Sequence, residues 1–159
     1  MSYFPIYQLR HSATISTAIS ALQLKAGTNG PVEIIRFTLS QQNSTTSKQI
    51  AAALVRCSAG ATVTTAVAGT HLFKHNPLNP TSDLSLGTSA TGVTATAEGT
   101  ETDTICARGF NELTGLEWLA TPEEQIIVPV SGIIKLKFLV APTSATWYSS
   151  ITFRELRGG

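Results

Sequence analysis

The sequence predicts an all-β fold, an antiparallel β-sandwich of jelly-roll type with an extended N-terminal arm and long Ser/Thr/Pro-rich loops. Three observations predict it. Hydroxyl side chains dominate, with 15 Ser and 23 Thr, while charged residues make up 13% against about 25% in an average soluble protein. Threonine favours strands and serine favours turns and caps. Several runs alternate apolar and polar residues with the period of two that a half-buried strand requires. The densest apolar material, 108–140, is cut by Gly115, Pro122, Pro129 and Gly132 into strand-sized pieces. A chain of 159 residues reads as one domain, 1–159, able to bury roughly 68–70% of its unfolded surface without metal or disulfide staples.

The elements follow in order. Tyr3-Phe-Pro-Ile-Tyr-Gln-Leu is aromatic and interrupted by Pro5, so residues 1–10 read as an arm or an edge strand. Such an arm lies either on a neighbouring subunit or over its own sandwich. From His11 to Leu24, alternation at Ala13, Ile15 and Thr17 becomes less regular through Ile19, Leu22 and Leu24, and Ala26–Pro31 is a turn. Val32–Leu39 is a strand with Ile35, Phe37 and Leu39 on one face, and Gln41–Ser47 is a polar loop. Lys48–Cys57 has helical propensity, yet small residues on both faces favour a central strand. Ala59–Gly99 wanders over the surface with strands at 62–67 and 92–97, and 101–107 is a further strand. Ile126–Val130 and Ile133–Val140, separated by Ser131-Gly132, read as two antiparallel strands joined by a tight turn. In the second, Ile134, Leu136, Phe138 and Val140 share the buried face, with Lys135 and Lys137 in solvent. Thr146–Leu156 closes the sandwich, with Trp147, Ser149, Ile151 and Phe153 on one face. Gly158-Gly159 is a flexible end.

The chemistry-bearing residues point away from catalysis. Cys57 and Cys106 are too few and too distant for a zinc site or a disulfide framework, and read as buried free thiols. His71 and His75 have the spacing of a helical metal pair, but the following Asn-Pro is not helical and no acid cluster accompanies them. They read as loop histidines, and no metal or cofactor is expected. Thr121-Pro-Glu-Glu124 reads as the capped first turn of a helix, with acids favoured by the helix dipole. Gly-x-Ser-x-Gly and phosphate-loop motifs do not occur. A net charge of +1 with scattered basic residues argues against nucleic acid as a partner. No apolar run approaches the ~20 residues of a membrane span, and no secretory signal is evident, so a chain made in a cytoplasm is expected.

Several segments resemble a group of small proteins of tailed-bacteriophage structural gene clusters. They are Leu39-Ser-Gln-Gln with its polar loop, Arg108-Gly-Phe-Asn, Trp118-Leu-x-Thr-Pro-Glu-Glu-Gln-Ile-Ile-Val and Ser131-Gly-Ile-Ile-Lys-Leu. Ala141-Pro and Ile151-Thr-Phe-Arg-Glu-Leu-x-Gly-Gly complete the set. Together they cover about two-thirds of the chain in pieces, and their order is more specific than any one of them. The resemblance implies a capsid decoration (cement) protein or a similar virion component with a β-sandwich, often trimeric on the shell, so a homotrimer bound to the major capsid protein on the virion surface is expected. The lack of a catalytic constellation argues that it is not an enzyme.

The interface candidates are Phe4, Tyr7, Leu72, Phe73, Trp118, Trp147 and Tyr148. The tryptophans and Tyr148 serve either as core or as interface anchors. The expected attachment runs through the N-terminal arm and the 59–99 region, both poor in charge. A different class of function also fits the residues: a small binding module of a phage fibre or carbohydrate-binding type, using Trp147 and Tyr148 as an aromatic platform.

Overall fold

Among the described residues, alternating side chains along twelve strands build two antiparallel sheets facing one another, the arrangement of a β-sandwich. The structure, a computed structural model, describes residues 4–157; Tyr3 of the expected arm and the Gly158-Gly159 end lie outside the described residues. The strands are β1 (Ile6–Ile15), β2 (Ser20–Lys25), β3 (Val32–Gln42), β4 (Gln49–Ala59), β5 (Thr62–Thr65) and β6 (Leu72–Lys74). They continue with β7 (Gly92–Ala97), β8 (Thr100–Asn111), β9 (Leu116–Leu119), β10 (Ile126–Val128), β11 (Ile133–Phe138) and β12 (Ala145–Glu155). The first sheet runs β10-β3-β12-β1-β6, with β9 also on β3; the second runs β5-β7-β2-β11-β4-β8. No helix occurs among the described residues.

The core is the apolar space between the sheets. Trp147, Ile151 and Phe153 of β12 are fully buried, as the alternation of that strand predicts. The Trp147 indole meets the rings of Phe138 and Phe110 edge-on, at centroid distances of 5.0 and 6.4 Å. Phe37 stacks on Trp118 at 5.4 Å, and Tyr7 on Phe153 at 5.6 Å. Such aromatic pairs add to what burial alone contributes.

Residues 6–15, part of which was expected to be an arm, form a strand of the first sheet that is flanked on both sides over residues 6–10. β1 pairs with β12 along its whole length and with β6 at Tyr7–Leu9. Tyr7, Leu9 and Ile15 are inward and buried, so Pro5 precedes a central strand.

The expected hairpin of 126–130 with 133–140 does not form. β10 pairs with β3 in the first sheet, and β11 pairs with β2 and β4 in the second. The Pro129–Gly132 turn, closed by Gly132 N–H to Pro129 O at 2.8 Å with Ser131 at φ 59, therefore carries the chain between sheets. Short apolar runs separated by a turn look alike whether the turn joins neighbours or crosses a sandwich.

Ile134, Leu136 and Phe138 are buried as expected, but Val140 is exposed beyond the end of β11, and Lys135 is buried rather than solvated. The cause is the long ribbon of β4 and β8. At Ala59↔Thr100 it bends and continues as β5 and β7, and β7 then pairs with β2. β5 and β7, continuing the ribbon from β4 and β8, thus fold back over the outer side of β2 and β11. Gln23 is enclosed there too, donating to Ala61 O and Ala90 O and accepting from Ala61 N–H. Gly60, Gly92 and Gly99 occur where the ribbon folds, and a Cβ at Gly99 would sit 2.1 Å from Ala59 O.

Other expectations change as well. In β3, Ile34 and not Ile35 faces the core with Phe37 and Leu39, because a bulge opposite Thr152/Phe153 inserts one residue and resets the alternation. Thr121–Glu124 forms a turn, with Glu124 N–H donating to Thr121 O at 3.0 Å, because β9 and β10 leave no room for a helix. The 59–99 region contributes Ala66, Leu72, Leu84 and Val93 to the core and includes β6, a strand that its sequence did not announce. Both cysteines are free but half-buried.

Candidate functional site

On the first sheet, alternation leaves the even-numbered residues of β1 and β12 pointing outward. Register aligns them into rows: Thr38, Ser150 and Arg10 across β3, β12 and β1, and Ser40, Tyr148 and Ser12 beside them. The floor is thus almost entirely hydroxyl. Thr38 Oγ1 and Ser150 Oγ lie 2.5 Å apart, and the Tyr148 hydroxyl donates to Gln42 Oε1 at 2.6 Å, holding the half-exposed ring across the face.

The segment after β5 builds one wall. Val67 O accepts from the N–H groups of Thr70, His71 and Leu72, and Gly69 takes a left-handed φ of 80° that a side chain would strain. This tight loop places Thr70 and His71 beside β1, where Arg10 N–H donates to His71 O at 2.8 Å. Val67 N–H donates to His71 Nδ1 at 3.0 Å, so the neutral ring carries its proton on Nε2. His11 meets His71 edge-on with ring centroids 5.0 Å apart. Burial, reinforced by the neighbouring His71, holds the His11 imidazole below the usual histidine range. On the same side Phe73 lies beneath Arg10, with the guanidinium carbon 3.8 Å from the ring centroid.

These pieces enclose an open cleft of about 500 Å³. Aromatic side chains, Phe73 and Tyr148, contribute to it together with Ser12, Thr38, Ser149, Ser150 and Thr70. Arg10, His11 and His71 supply the ionisable groups, and no carboxylate lines it. A smaller hollow of about 210 Å³ lies between Glu33, Thr121, Pro122 and Arg154.

Of the seven interface candidates, the structure brings two together: Phe73 and Tyr148 share the cleft. Tyr7, Leu72, Trp118 and Trp147 are buried within the chain's own core, and Phe4 is half-buried. The Tyr7 hydroxyl donates to Pro80 O at 2.9 Å, which pins the 76–80 turn to β1. Burial removes Tyr7 and Leu72 from the expected route of attachment, and removes Trp147 from the expected aromatic platform. His71 faces His11 rather than forming a helical pair with His75, since β6 lies between them in the chain. Among the described residues no group of three or more His, Cys, Asp or Glu side chains is placed to hold a metal. Arg10, Ser12, Thr38 and Ser150 were not singled out in the sequence, although the outward alternation of 146–156 already put Ser150 and Tyr148 on one face. The chain matches no protein-family model, no curated protein and no solved structure.

Proposed function

We propose that the chain is a structural virion protein that binds the outer surface of a phage capsid and bridges neighbouring capsomers, working through its surfaces and not by catalysis. The motif order described above supports this reading. So does the strand order, which we read as a jelly roll: β1-β12-β3-β9 in one sheet against β2-β11-β4-β8 in the other, with successive strands mostly alternating between them. Jelly rolls serve in viral capsids and in lectins, and the fold alone does not choose between those uses.

The observation that carries the reading is an apolar tip at one end of the sheets. Leu113, Leu139 and Val140 are 50%, 38% and 42% exposed on loops held together by shared hydrogen bonds. Buried Glu112 accepts from Thr143 N–H at 2.7 Å, Lys48 Nζ donates to Ala141 O at 2.7 Å, and Leu139 N–H donates to Ala51 O at 2.8 Å. A rigid, apolar end suits a seam between subunits, and repetition over a symmetric shell multiplies a modest affinity per copy. The expected assembly is a homotrimer whose partner is the major capsid protein. Co-sedimentation with purified shells tests the reading: the parent binds, and Leu113→Ser with Val140→Ser weakens binding while the protein stays folded. Undiminished decoration by that variant, or a parent that never sediments with shells, refutes it. Light scattering that gives only the 16.8 kDa monomer at micromolar concentration, with no trimer in assembled particles, refutes the trimer.

A further inference from the structure

We propose that the cleft on the outer face of the first sheet is a binding site for a saccharide that carries a carboxylate, such as a sialic or uronic acid residue. This does not rest on the capsid reading, which concerns the opposite kind of surface, an apolar loop tip.

The ligand class follows from what the cleft offers. Its volume, about 500 Å³, falls within the ~300–1,000 Å³ of small-ligand sites. Its floor lies across β3, β12 and β1, and the middle strand β12 is paired on both sides, so the middle of the floor offers a peptide no free edge for strand addition. Recognition must come from side chains. The floor supplies hydroxyls at Ser12, Thr38 and Ser150, which match the spaced hydroxyls of a sugar ring. Tyr148, half-exposed and held by Gln42, presents an aromatic face to the C–H side of such a ring.

Charge decides the rest. Arg10 is exposed, stacked on Phe73, and no carboxylate among the described residues lies within ion-pair distance of it. A guanidinium fixed in orientation by an aromatic ring and left without an acid is preorganised for a two-point contact with a carboxylate. His71, with its Nε2 proton, adds a further donor beside it. The lining contains no Asp or Glu, so no carboxylate of the protein's own stands there to repel an acidic ligand.

Titration of the full-length chain with N-acetylneuraminic acid and glucuronic acid, against glucose and sorbitol, tests this by calorimetry and by saturation-transfer NMR. Saturable binding of an acidic sugar is expected at millimolar concentrations or below, with neutral sugars at least about tenfold weaker, and weakening in salt. Arg10→Gln should lose about tenfold or more, and Tyr148→Ala several-fold, each with the parent's melting temperature. No binding by either acid, equal binding of glucose, or an unaffected Arg10→Gln variant overturns the proposal. Shell binding measured in the same variants separates the two readings: Arg10→Gln should decorate shells as the parent does.

Discussion

Removing the charge of Glu98 should destabilise the protein more than its position beside a turn suggests. Lys135 has no exposed side-chain surface, and its ammonium pairs with Glu98 and, at 2.9 Å, with Glu101. Glu98 also accepts from Ser20 N–H at 2.6 Å and Ser20 Oγ–H at 2.7 Å. Breaking a buried ion pair from one side costs about 3–5 kcal/mol, because the other charge is left without compensation. Here Glu101 remains and Glu98 is a quarter exposed, so Glu98→Gln should cost about 2 kcal/mol, or roughly 4–8 °C in melting temperature for a domain of this size. Lys135→Met leaves the carboxylates to Ser20, Lys137 and water, and the double variant should recover most of the loss, giving a coupling of about 1–2 kcal/mol. The pH dependence has a definite sign. Burial pushes Glu98 up, but hydrogen bonds from Lys135 and Ser20 outweigh it and hold the carboxyl below its ordinary range. A hydrogen bond from Lys137 does the same for Glu101. A carboxylate with a lowered folded pKa contributes stability above its unfolded value of about 4.3, and loses it as the pH falls through the folded value. Urea unfolding of the four proteins between neutral pH and pH 3 measures both effects. Additive single variants, a Glu98→Gln loss under about 0.5 kcal/mol, or an acid profile unchanged by Glu98→Gln would refute the reasoning.

Other substitutions test the fold directly. Phe138→Ala removes a fully buried ring that packs on Trp147 and should cost about 3–5 kcal/mol by chemical denaturation; a loss below roughly 1 kcal/mol would mean that the inward face of β11 is wrong. Gly99→Ala forces a Cβ against the backbone of Ala59 and Gly60 and should cost about 1–3 kcal/mol, read as a lowered melting temperature; parent-like melting would contradict the folded-over ribbon. Burial raises the thiol pKa of both Cys57 and Cys106, so timed iodoacetamide labelling at neutral pH should run slower at each than at a free thiol, and equal rates would place them in open solvent.

How much of this was legible depended on whether the deciding contact was local. The inward face of β12 was readable because Trp147, Ser149, Ile151 and Phe153 keep one alternation and are all buried. In β3 the same rule placed Ile35 inside, and a single bulged residue made Ile34 the core residue instead. Nothing within Val32–Leu39 signals that bulge, since it exists only relative to β12. A turn at Ser131-Gly132 was readable, though the turn begins at Pro129, and its two flanking strands pair with β3 and with β2 and β4, which lie far away in the chain. For the site, the hydroxyl face of β12 was visible, whereas the meeting of Arg10, Phe73 and Tyr148 depends on β6 being laid against β1 by a six-residue loop.

Arg10 and Lys135 show why outward strand positions cannot be ranked from their residue types. Each is a cation that alternation directs away from the space between the sheets. Lys135 lies where the β4–β8 ribbon folds back over β2 and β11, so its outer face became an interior, and the chain supplies Glu98 and Glu101 to neutralise it. An unpaired cation could not remain there, because desolvation without compensation costs several kcal/mol. Arg10 lies on the sheet that no ribbon covers. Water solvates its head group, so the fold exacts no acid partner, and the described chain provides none. What fixes it instead is Phe73, a contact that orients the guanidinium without consuming its donors. The covered face thus spends its polar groups on holding the ribbon, whereas the open face leaves the Arg10 guanidinium stacked on Phe73 without an acid partner among the described residues.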